Sequence, residues 1–289
     1  MRLAYLACAL TLPGSAERRI DAFEHDQMMA CLGKTFGRHG SDILAIGWDD
    51  EAIDWRDFDA VLIGSTWDYQ DRLDEFLATL DRIASVIPLF NPPDLIRWNC
   101  RKTYLRDLES RGAPVIPTLW LDPPSEADVA AAFDQLGTGD IVLKRQIGAN
   151  AEGQHRLRRG DPCPLMPHPM MAQPFFPAIQ HEGEISFVFI DGELSHALRK
   201  QAASGDYRIQ SSYGGNESSF APLKGDLDSA RQALAAVDGD PLYARVDMLR
   251  GEDGKLRLME LEMIEPFLYP LQGDDLGEHM HAALGRRLG

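Results

Sequence analysis

Residues 243–263 read YARVDMLRGEDGKLRLMELEM, and this stretch decides the fold class of the C-terminal part of the chain. Two segments rich in apolar residues, Tyr243–Leu249 and Leu256–Met263, flank the turn-forming stretch Gly251–Gly254. This pattern predicts two antiparallel strands joined as a hairpin. We therefore expect an antiparallel sheet at this end of the chain.

Three carboxylates lie on the predicted hairpin. Glu260 and Glu262 are two residues apart on one strand, so their side chains face the same side of the sheet. Asp247 is on the preceding strand, where it can lie across from them. Carboxylates crowded on one face repel each other unless cations neutralise them, and clusters of oxygen ligands suit Mg²⁺. A merely acidic, hydrated sheet face is the alternative that the hairpin alone leaves open.

A second hairpin is predicted upstream. Ile185–Ile190 and Leu194–Arg199 flank Asp191-Gly192, which is a strong signal for a two-residue hairpin turn. We expect the chain to become antiparallel from Met170 onward, with a helix over Leu227–Ala236 between the two hairpins.

The first third of the chain alternates short apolar runs with helix-like segments. The runs Leu3–Ala9, Ile43–Ile46 and Ala60–Gly64 predict strands, and Asp21–Phe36 and Leu73–Ala84 predict helices. Such alternation indicates a parallel sheet with helical crossovers.

Ligands of parallel sheets bind beyond the carboxyl ends of the strands. The loop that leaves the third predicted strand offers hydroxyls, a carboxylate and two aromatic rings. The candidate substrate residues are Ser65, Thr66, Trp67, Asp68 and Tyr69. A capping loop with a buried Trp67 is the alternative.

The middle of the chain is expected to mix helices and short strands. Helices are predicted around Lys102–Ser110 and over Ser125–Leu136, and strands over Val115–Leu121 and Ile141–Lys144.

The composition excludes several classes of protein. The 289 residues carry 29 Lys and Arg against 45 Asp and Glu, a formal net charge of −16. Binding to a nucleic-acid backbone needs a basic face, so we expect no nucleic-acid partner, whereas a small anionic ligand needs only a local cluster of cations. No run of about 18 apolar residues occurs, which predicts no membrane partner.

Cysteine usage favours a cytoplasmic protein. The four cysteines are far apart and form no C-x-x-C pair, which indicates reduced thiols. Met1–Leu12 has features of a signal peptide, but a buried first strand is favoured because the downstream pattern of strands needs it.

The common enzyme signatures are absent. No G-x-G-x-x-G opens a helix after the first strand, and neither G-x-S-x-G nor H-E-x-x-H occurs. Gly33-Lys34-Thr35 imitates the end of a phosphate-binding P-loop, but Met28 stands where that motif needs a glycine.

Seven short segments, taken in order, resemble the ATP-grasp ligases, a family that includes glutathione synthetase, D-alanine–D-alanine ligase and the ribosomal-protein glutamate ligase. The resemblance covers roughly Asn99 to Leu271. Each segment alone is a weak signal, whereas their order and spacing together are specific. The segments are Lys102–Leu105 with Gly112–Pro114, Val142–Lys144, Gly148–Gly153, Ala172–Phe175, Gly183–Ser186, Ala244–Asp247 and Met259–Glu262.

Three further stretches indicate a nearer match. Gly205–Gln210, Tyr213–Gly215 and Ile264–Tyr269 look most similar to the D-cycloserine-forming cyclo-ligase and its uncharacterised relatives.

The resemblance implies a three-lobed ATP-grasp architecture that combines the α/β and α+β classes. It implies a parallel α/β N-terminal lobe at residues 1–95, a small central lobe at 96–172 and an antiparallel C-terminal lobe at 173–289. ATP would bind between the last two lobes.

The resemblance also implies roles for individual residues. Nucleotide binding would fall to Lys102, Lys144, Gly148, Gly153, Gln173, Pro174 and Phe175, with either Glu182 or Glu184 at the ribose. One Mg²⁺ would be held by Asp247 and Glu260 and a second by Glu260 and Glu262, with Mn²⁺ as an alternative ion. The transferred phosphoryl group or the substrate carboxylate would be neutralised by Lys200, Arg208 and Arg245.

Two positions depart from the pattern of many relatives. Glu262 stands where many carry asparagine, which keeps an oxygen ligand and adds charge. Arg145 stands where many carry proline after the second lysine, which affects the following loop more than nucleotide binding.

The implied activity is that of an ATP- and Mg²⁺-dependent carboxylate–amine ligase. It would form an amide-type bond on a small amino-acid-like substrate through an acyl phosphate, and ring closure within one molecule is the finer expectation. A homodimer is the expected assembly. A non-catalytic ATP-binding sensor or scaffold on the same fold is one alternative, and an enzyme that stops at phosphoryl transfer is another.

Overall fold

The computed structural model describes residues 1–148, 153–202 and 215–289, and the strands of these residues form three sheets. The first sheet is built by the N-terminal elements: β1 (Arg2–Ala7), α1 (Ala22–Arg38), β2 (Asp42–Gly47), β3 (Ala60–Ile63), α2 (Leu73–Ala84), β4 (Leu89–Phe90) and α3 (Pro93–Asn99). Its strands lie in the order β2-β1-β3-β4, and all pairs are parallel, as predicted. Strands β1 and β3 are almost entirely buried, which explains their continuous apolar runs.

The middle of the chain forms a small antiparallel sheet. Its elements are α4 (Tyr104–Ser110), β5 (Leu119–Leu121), α5 (Glu126–Gln135), β6 (Asp140–Arg145), β7 (His155–Arg158) and β8 (Met170–Pro174). The strands lie in the order β5-β8-β6-β7. Antiparallel structure therefore begins at Leu119, and the prediction that it begins at Met170 is wrong. The sequence order β5–α5–β6 imitates a parallel crossover, but β8 inserts between β5 and β6.

The predicted strand Val115–Leu121 is shorter in the structure. Only Leu119–Leu121 forms a strand, while Val115 makes an isolated parallel bridge to Leu258. Pro117 lies between them and has no N–H group to donate to a ladder, which explains the interruption. The predicted boundary between residues 172 and 173 falls within β8, and the lobe boundaries stay predictions.

The third sheet is antiparallel and carries both predicted hairpins. Its elements are α6 (Ala178–His181), β9 (Glu184–Ile190), β10 (Glu193–Gln201), β11 (Asn216–Ser219), α7 (Lys224–Ala235), β12 (Tyr243–Arg250), β13 (Leu256–Glu262) and α8 (Leu276–Leu288). The strand order is β11-β10-β9-β12-β13. Asp191 and Gly192 join β9 to β10 with φ angles of 54° and 78°, the left-handed conformation that tight hairpin turns require.

One apolar cluster joins the parallel sheet to the third sheet. Leu3 of β1, Leu32 of α1, Val188 of β9 and Leu276 of α8 are fully buried in it. This packing fixes the parallel sheet against the third sheet. None of the helices in the described ranges combines the length and apolar character needed to cross a bilayer.

Gly183 provides a test of how closely these elements pack. Its φ is +92°, and a Cβ atom there would lie 2.3 Å from the carbonyl oxygen of Lys200 on β10. Gly254 has a φ of +76° with open space around it. We predict that Gly254→Ala costs about 1–2 kcal/mol of unfolding free energy through its backbone alone, and that Gly183→Ala costs roughly 1–3 kcal/mol more through the clash. Urea unfolding measures both, and equal losses would contradict the close approach to β10.

Candidate functional site

A cleft of about 260 Å³ lies where elements of the three sheets meet. Trp67 from the loop after β3, Lys144 from β6, Glu184 from β9 and Glu260 from β13 all line it. The carboxyl end of the parallel strand β3 therefore opens towards both antiparallel sheets.

Most of the predicted site residues line this cleft. They are Trp67, Tyr69, Lys102, Lys144, Gly148, Gln173, Pro174, Phe175, Glu184, Lys200, Arg245, Asp247, Glu260 and Glu262. The lining does not include Ser65, Thr66, Asp68, Gly153 or Glu182. Arg208 and the loop residues 149–152 lie outside the described residues.

Strand register brings the predicted metal carboxylates together. Asp247 on β12 pairs with Glu260 on β13, and Arg245 pairs with Glu262. Arg245 donates to Asp247 at 3.0 Å from Nε and 2.9 Å from Nη2, and it also forms an ion pair with Glu262. Its guanidinium therefore bridges the two strands.

Two lysines neutralise the remaining carboxylates. Lys200 on β10 forms an ion pair with Glu184 and lies 3.4 Å from Asp247. Lys102 forms an ion pair with Glu260, and the Lys102 backbone N–H donates to the carbonyl of Gln146 at 2.8 Å, just after β6. Each predicted metal carboxylate is thus bound to a cation.

The pKa values follow from burial and from these partners. Burial raises the pKa of Asp247, but Arg245 and Lys200 outweigh it and hold that pKa below its ordinary value. The pKa of Glu260 is also lowered, because Lys102 and then Lys144 outweigh the effect of burial. Burial dominates at Glu262 and raises its pKa to about 7, although Arg245 opposes the shift.

The residues fit a divalent cation by their chemistry. Asp247, Glu260 and Glu262 supply only oxygen atoms, the donors that Mg²⁺ prefers, and the first two are direct cross-strand partners. In the described ranges, no three His, Cys, Asp or Glu side chains converge as metal ligands, and each of these three carboxylates is paired with a cation. Binding of Mg²⁺ would require at least one of these ion pairs to open.

One part of the cleft is apolar. Ile116, Val142, Phe175, Leu249 and Met259 line it. Gln173 and Pro174 lie in the same lining, at the end of β8, and the Gln173 amide donates to the hydroxyl of Thr118 at 2.9 Å. This arrangement suits a planar, mostly apolar group.

The loop after β3 is divided between the cleft and the parallel sheet. Ser65 lies 2.6 Å from Nδ1 of His25 and is buried, and Asp68 accepts a hydrogen bond from the Trp48 indole at 2.7 Å. Thr66 is also fully buried. Of the five predicted substrate residues, the structure brings only Trp67 and Tyr69 to the cleft.

Glu182 is engaged in an ion pair outside the cleft lining. It accepts from Nε of Arg250 at 2.9 Å, and Arg250 also donates to Asp226 at 2.9 Å. Of the two ribose candidates, only Glu184 lines the cleft, where Lys200 contacts it.

Comparison with known proteins identifies the family. A family model described as the N-terminal domain of D-cycloserine synthetase DcsG matches residues 3–91. The chain is 31% identical over 268 residues to the cycloserine biosynthesis protein DcsG of Streptomyces lavendulae, which covers 83% of this chain and 87% of that protein. The chain belongs to the DcsG family of ATP-grasp ligases.

Solved structures agree with this assignment to the DcsG family. The crystal structure of D-cycloserine synthetase DcsG matches with a TM-score of 0.82 and 28% identity, over 100% of both chains. The ATP-grasp ligase PsnB, complexed with a minimal precursor, matches with a TM-score of 0.67 and 17% identity over 98% of both chains, a likeness of fold. The predicted ATP-grasp fold class is confirmed, and the protein is an enzyme, an ATP-dependent ligase, rather than a non-catalytic sensor.

Several residues of the cleft had no role predicted from the sequence. Ile264, Glu265, Phe267 and Tyr269, from a segment after β13 that we name the 264–269 segment, line it. The resemblance pointed to this stretch, but no periodicity or motif distinguished its side chains. Asn99 also lines the cleft, and its amide donates to the Leu261 carbonyl at 2.9 Å.

The central position of Arg245 predicts a large effect on stability. Arg245→Met leaves the buried Asp247 and the partly exposed Glu262 without their shared cation, so we expect a loss of about 3–5 kcal/mol in unfolding free energy. Arg257→Met on β13 breaks only a more exposed pair with Asp253 and should cost no more than about 1 kcal/mol. Chemical denaturation of both variants tests the difference, and a small loss for Arg245→Met would contradict the bridging role.

Proposed function

We propose that this enzyme activates the carboxylate of a small amino-acid-like substrate as an acyl phosphate, at the expense of ATP with Mg²⁺, and joins it to an amine. The observation that carries the proposal is one cleft that holds four cations, those of Lys102, Lys144, Lys200 and Arg245, beside the three proposed metal ligands. Catalysis of this kind relies on positioning and charge stabilisation, so it needs no side-chain nucleophile.

The nucleotide is proposed to bind between the second and third sheets. The apolar part of the cleft would take adenine, with Gln173, Pro174 and Phe175 at its edge. Lys102 and Lys144 would contact the phosphates. Gly148 and Gly153, at the ends of the connecting loop, both have positive φ angles, of 151° and 64°, so their backbone conformations favour glycine. We propose that this loop closes over the phosphates and shields the acyl phosphate from water.

Asp247, Glu260 and Glu262 are the proposed metal ligands. Mg²⁺ bound there would neutralise charge on the β- and γ-phosphates. The ion pair between Lys102 and Glu260 supports a coupled arrangement. An ATP phosphate would bind Lys102 while Mg²⁺ binds Glu260, so ATP and Mg²⁺ would each favour the binding of the other.

The proposed reaction balances in two steps. A substrate carboxylate oxygen attacks the γ-phosphorus, the bond to ADP breaks, and an acyl phosphate forms. The amine then attacks the acyl carbon. The bond from this carbon to the phosphate oxygen breaks, phosphate leaves with the electron pair, and the nitrogen loses a proton. We further propose that both groups belong to one molecule and that a ring closes, which the similarity to a cycloserine biosynthesis protein supports.

ADP release from the purified protein tests this proposal. We expect release with ATP, Mg²⁺ and pools of amino acids and amino-acid analogues, only where a pool supplies both a carboxylate and an amine. Added hydroxylamine should convert the acyl phosphate into a hydroxamate. Release that needs no amine and gives no hydroxamate would instead indicate simple phosphoryl transfer.

Glu260→Gln tests the metal assignment. We expect this variant to lose more than about 100-fold of ADP release, because a metal's charge stabilisation is worth several kcal/mol. Glu252→Gln makes the same change at an exposed position in the β12–β13 turn and should keep wild-type turnover. Unchanged turnover in the Glu260 variant would exclude Glu260 as a metal ligand.

A further inference from the structure

The 264–269 segment is held by its backbone, and four of its six side chains line the cleft. Three side chains from other elements donate to its carbonyl groups. The bonds are Arg245 Nη1 to Phe267 at 3.0 Å, Trp67 Nε1 to Glu265 at 3.2 Å and the Tyr243 hydroxyl to Ile264 at 3.0 Å. The segment is therefore fixed to both the parallel sheet and β12.

Tyr269 ends this segment in an unusual conformation. Its φ is 49°, and among the described residues Asp191 is the other non-glycine residue with positive φ. The hairpin turn accounts for Asp191. A bulky residue rarely adopts this conformation, which persists only where its surroundings hold it and which concentrates at binding sites.

The Tyr269 side chain lies against the two buried cations. Its ring centroid is 5.5 Å from Nζ of Lys200 and 5.5 Å from Cζ of Arg245, and the residue is only 8% exposed. Its hydroxyl makes no hydrogen bond to another described residue, although the residue lines the cleft. A tyrosine hydroxyl in a cleft lining that makes no such bond is available to donate to a bound ligand.

We propose that Tyr269 is a substrate-contacting residue whose hydroxyl donates a hydrogen bond to the carboxylate that the enzyme activates. This inference rests on the proposed function. The oxygen that receives the bond becomes the carbonyl oxygen of the acyl phosphate. It gains negative charge when the amine attacks, so the same donor stabilises it in the transition state.

Two features favour an oxygen anion as the partner of this hydroxyl. Lys200 and Arg245, beside the ring, would favour a negative ligand atom over an ammonium group once Mg²⁺ binds the carboxylates of Asp247 and Glu262 that they now pair with. Burial, with a further contribution from Asp247, raises the pKa of Tyr269 to about 12 against the opposing effect of the two cations. The hydroxyl therefore keeps its proton at neutral pH and acts as a donor.

Tyr269→Phe removes only the hydroxyl and keeps the ring over the cations. With the amino acid that supports ADP release by the wild type, we expect kcat/KM for that amino acid to fall by roughly 100-fold, as on loss of one oxyanion donor. The KM for ATP should change less than twofold. Tyr5→Phe is the matched control, since Tyr5 is buried outside the cleft and its hydroxyl also has no described hydrogen bond.

The outcomes separate this inference from the proposed function. A selective loss in Tyr269→Phe, with Tyr5→Phe unchanged, supports the contact with the carboxylate. Wild-type kinetics in Tyr269→Phe would overturn the contact, and so would a rise in the KM for ATP as large as the fall in kcat/KM for the amino acid. In both cases the proposed ligase function would stand. Absence of ADP release by the wild type with every pool would overturn both.

Discussion

The buried ion-pair network around Arg245 is the constraint on which the cleft depends. Arg245 neutralises Asp247 and Glu262, and Lys200 neutralises Glu184, within sheet positions that exclude most solvent. Isolated charges at such positions would cost several kilocalories per mole, so each cation is required by the carboxylates beside it. A structure without a bound nucleotide can therefore keep the charges that phosphate and metal need.

The same network positions elements that are distant in the sequence. Lys102, just before α4, forms an ion pair with Glu260 on β13, and Arg245 donates to the Phe267 carbonyl. Because the side chains that stabilise the cleft are also the ones that we propose bind ATP and Mg²⁺, the affinity for ATP, the affinity for Mg²⁺ and the stability of the cleft are expected to depend on one another. This dependence is a physical reason for binding nucleotide and metal together.

Local patterns in the sequence predicted much of this arrangement. The Asp191-Gly192 turn predicts the first hairpin, and the two-residue spacing of Glu260 and Glu262 predicts their shared face, so both features were predictable. The pairing of Asp247 with Glu260 depends on a register shift between Asp247 and Met248, which no local pattern indicated. The insertion of β8 between β5 and β6 depends on long-range pairing, and no local pattern indicated it. Side chains of the loop after β3 also point in different directions, which the sequence does not indicate. Trp67 lines the cleft, whereas Ser65 forms a hydrogen bond with His25. Tyr269 was missed because its neighbours come from β10 and β12.

The central claim is that ATP activates a substrate carboxylate as an acyl phosphate in this cleft. The most direct measurement uses the amino acid that supports ADP release, labelled with ¹⁸O in its carboxylate, and follows the label in the released phosphate by ³¹P NMR. We expect each released phosphate to carry one ¹⁸O atom from the carboxylate. Unlabelled phosphate, formed alongside the ligated product, would contradict it.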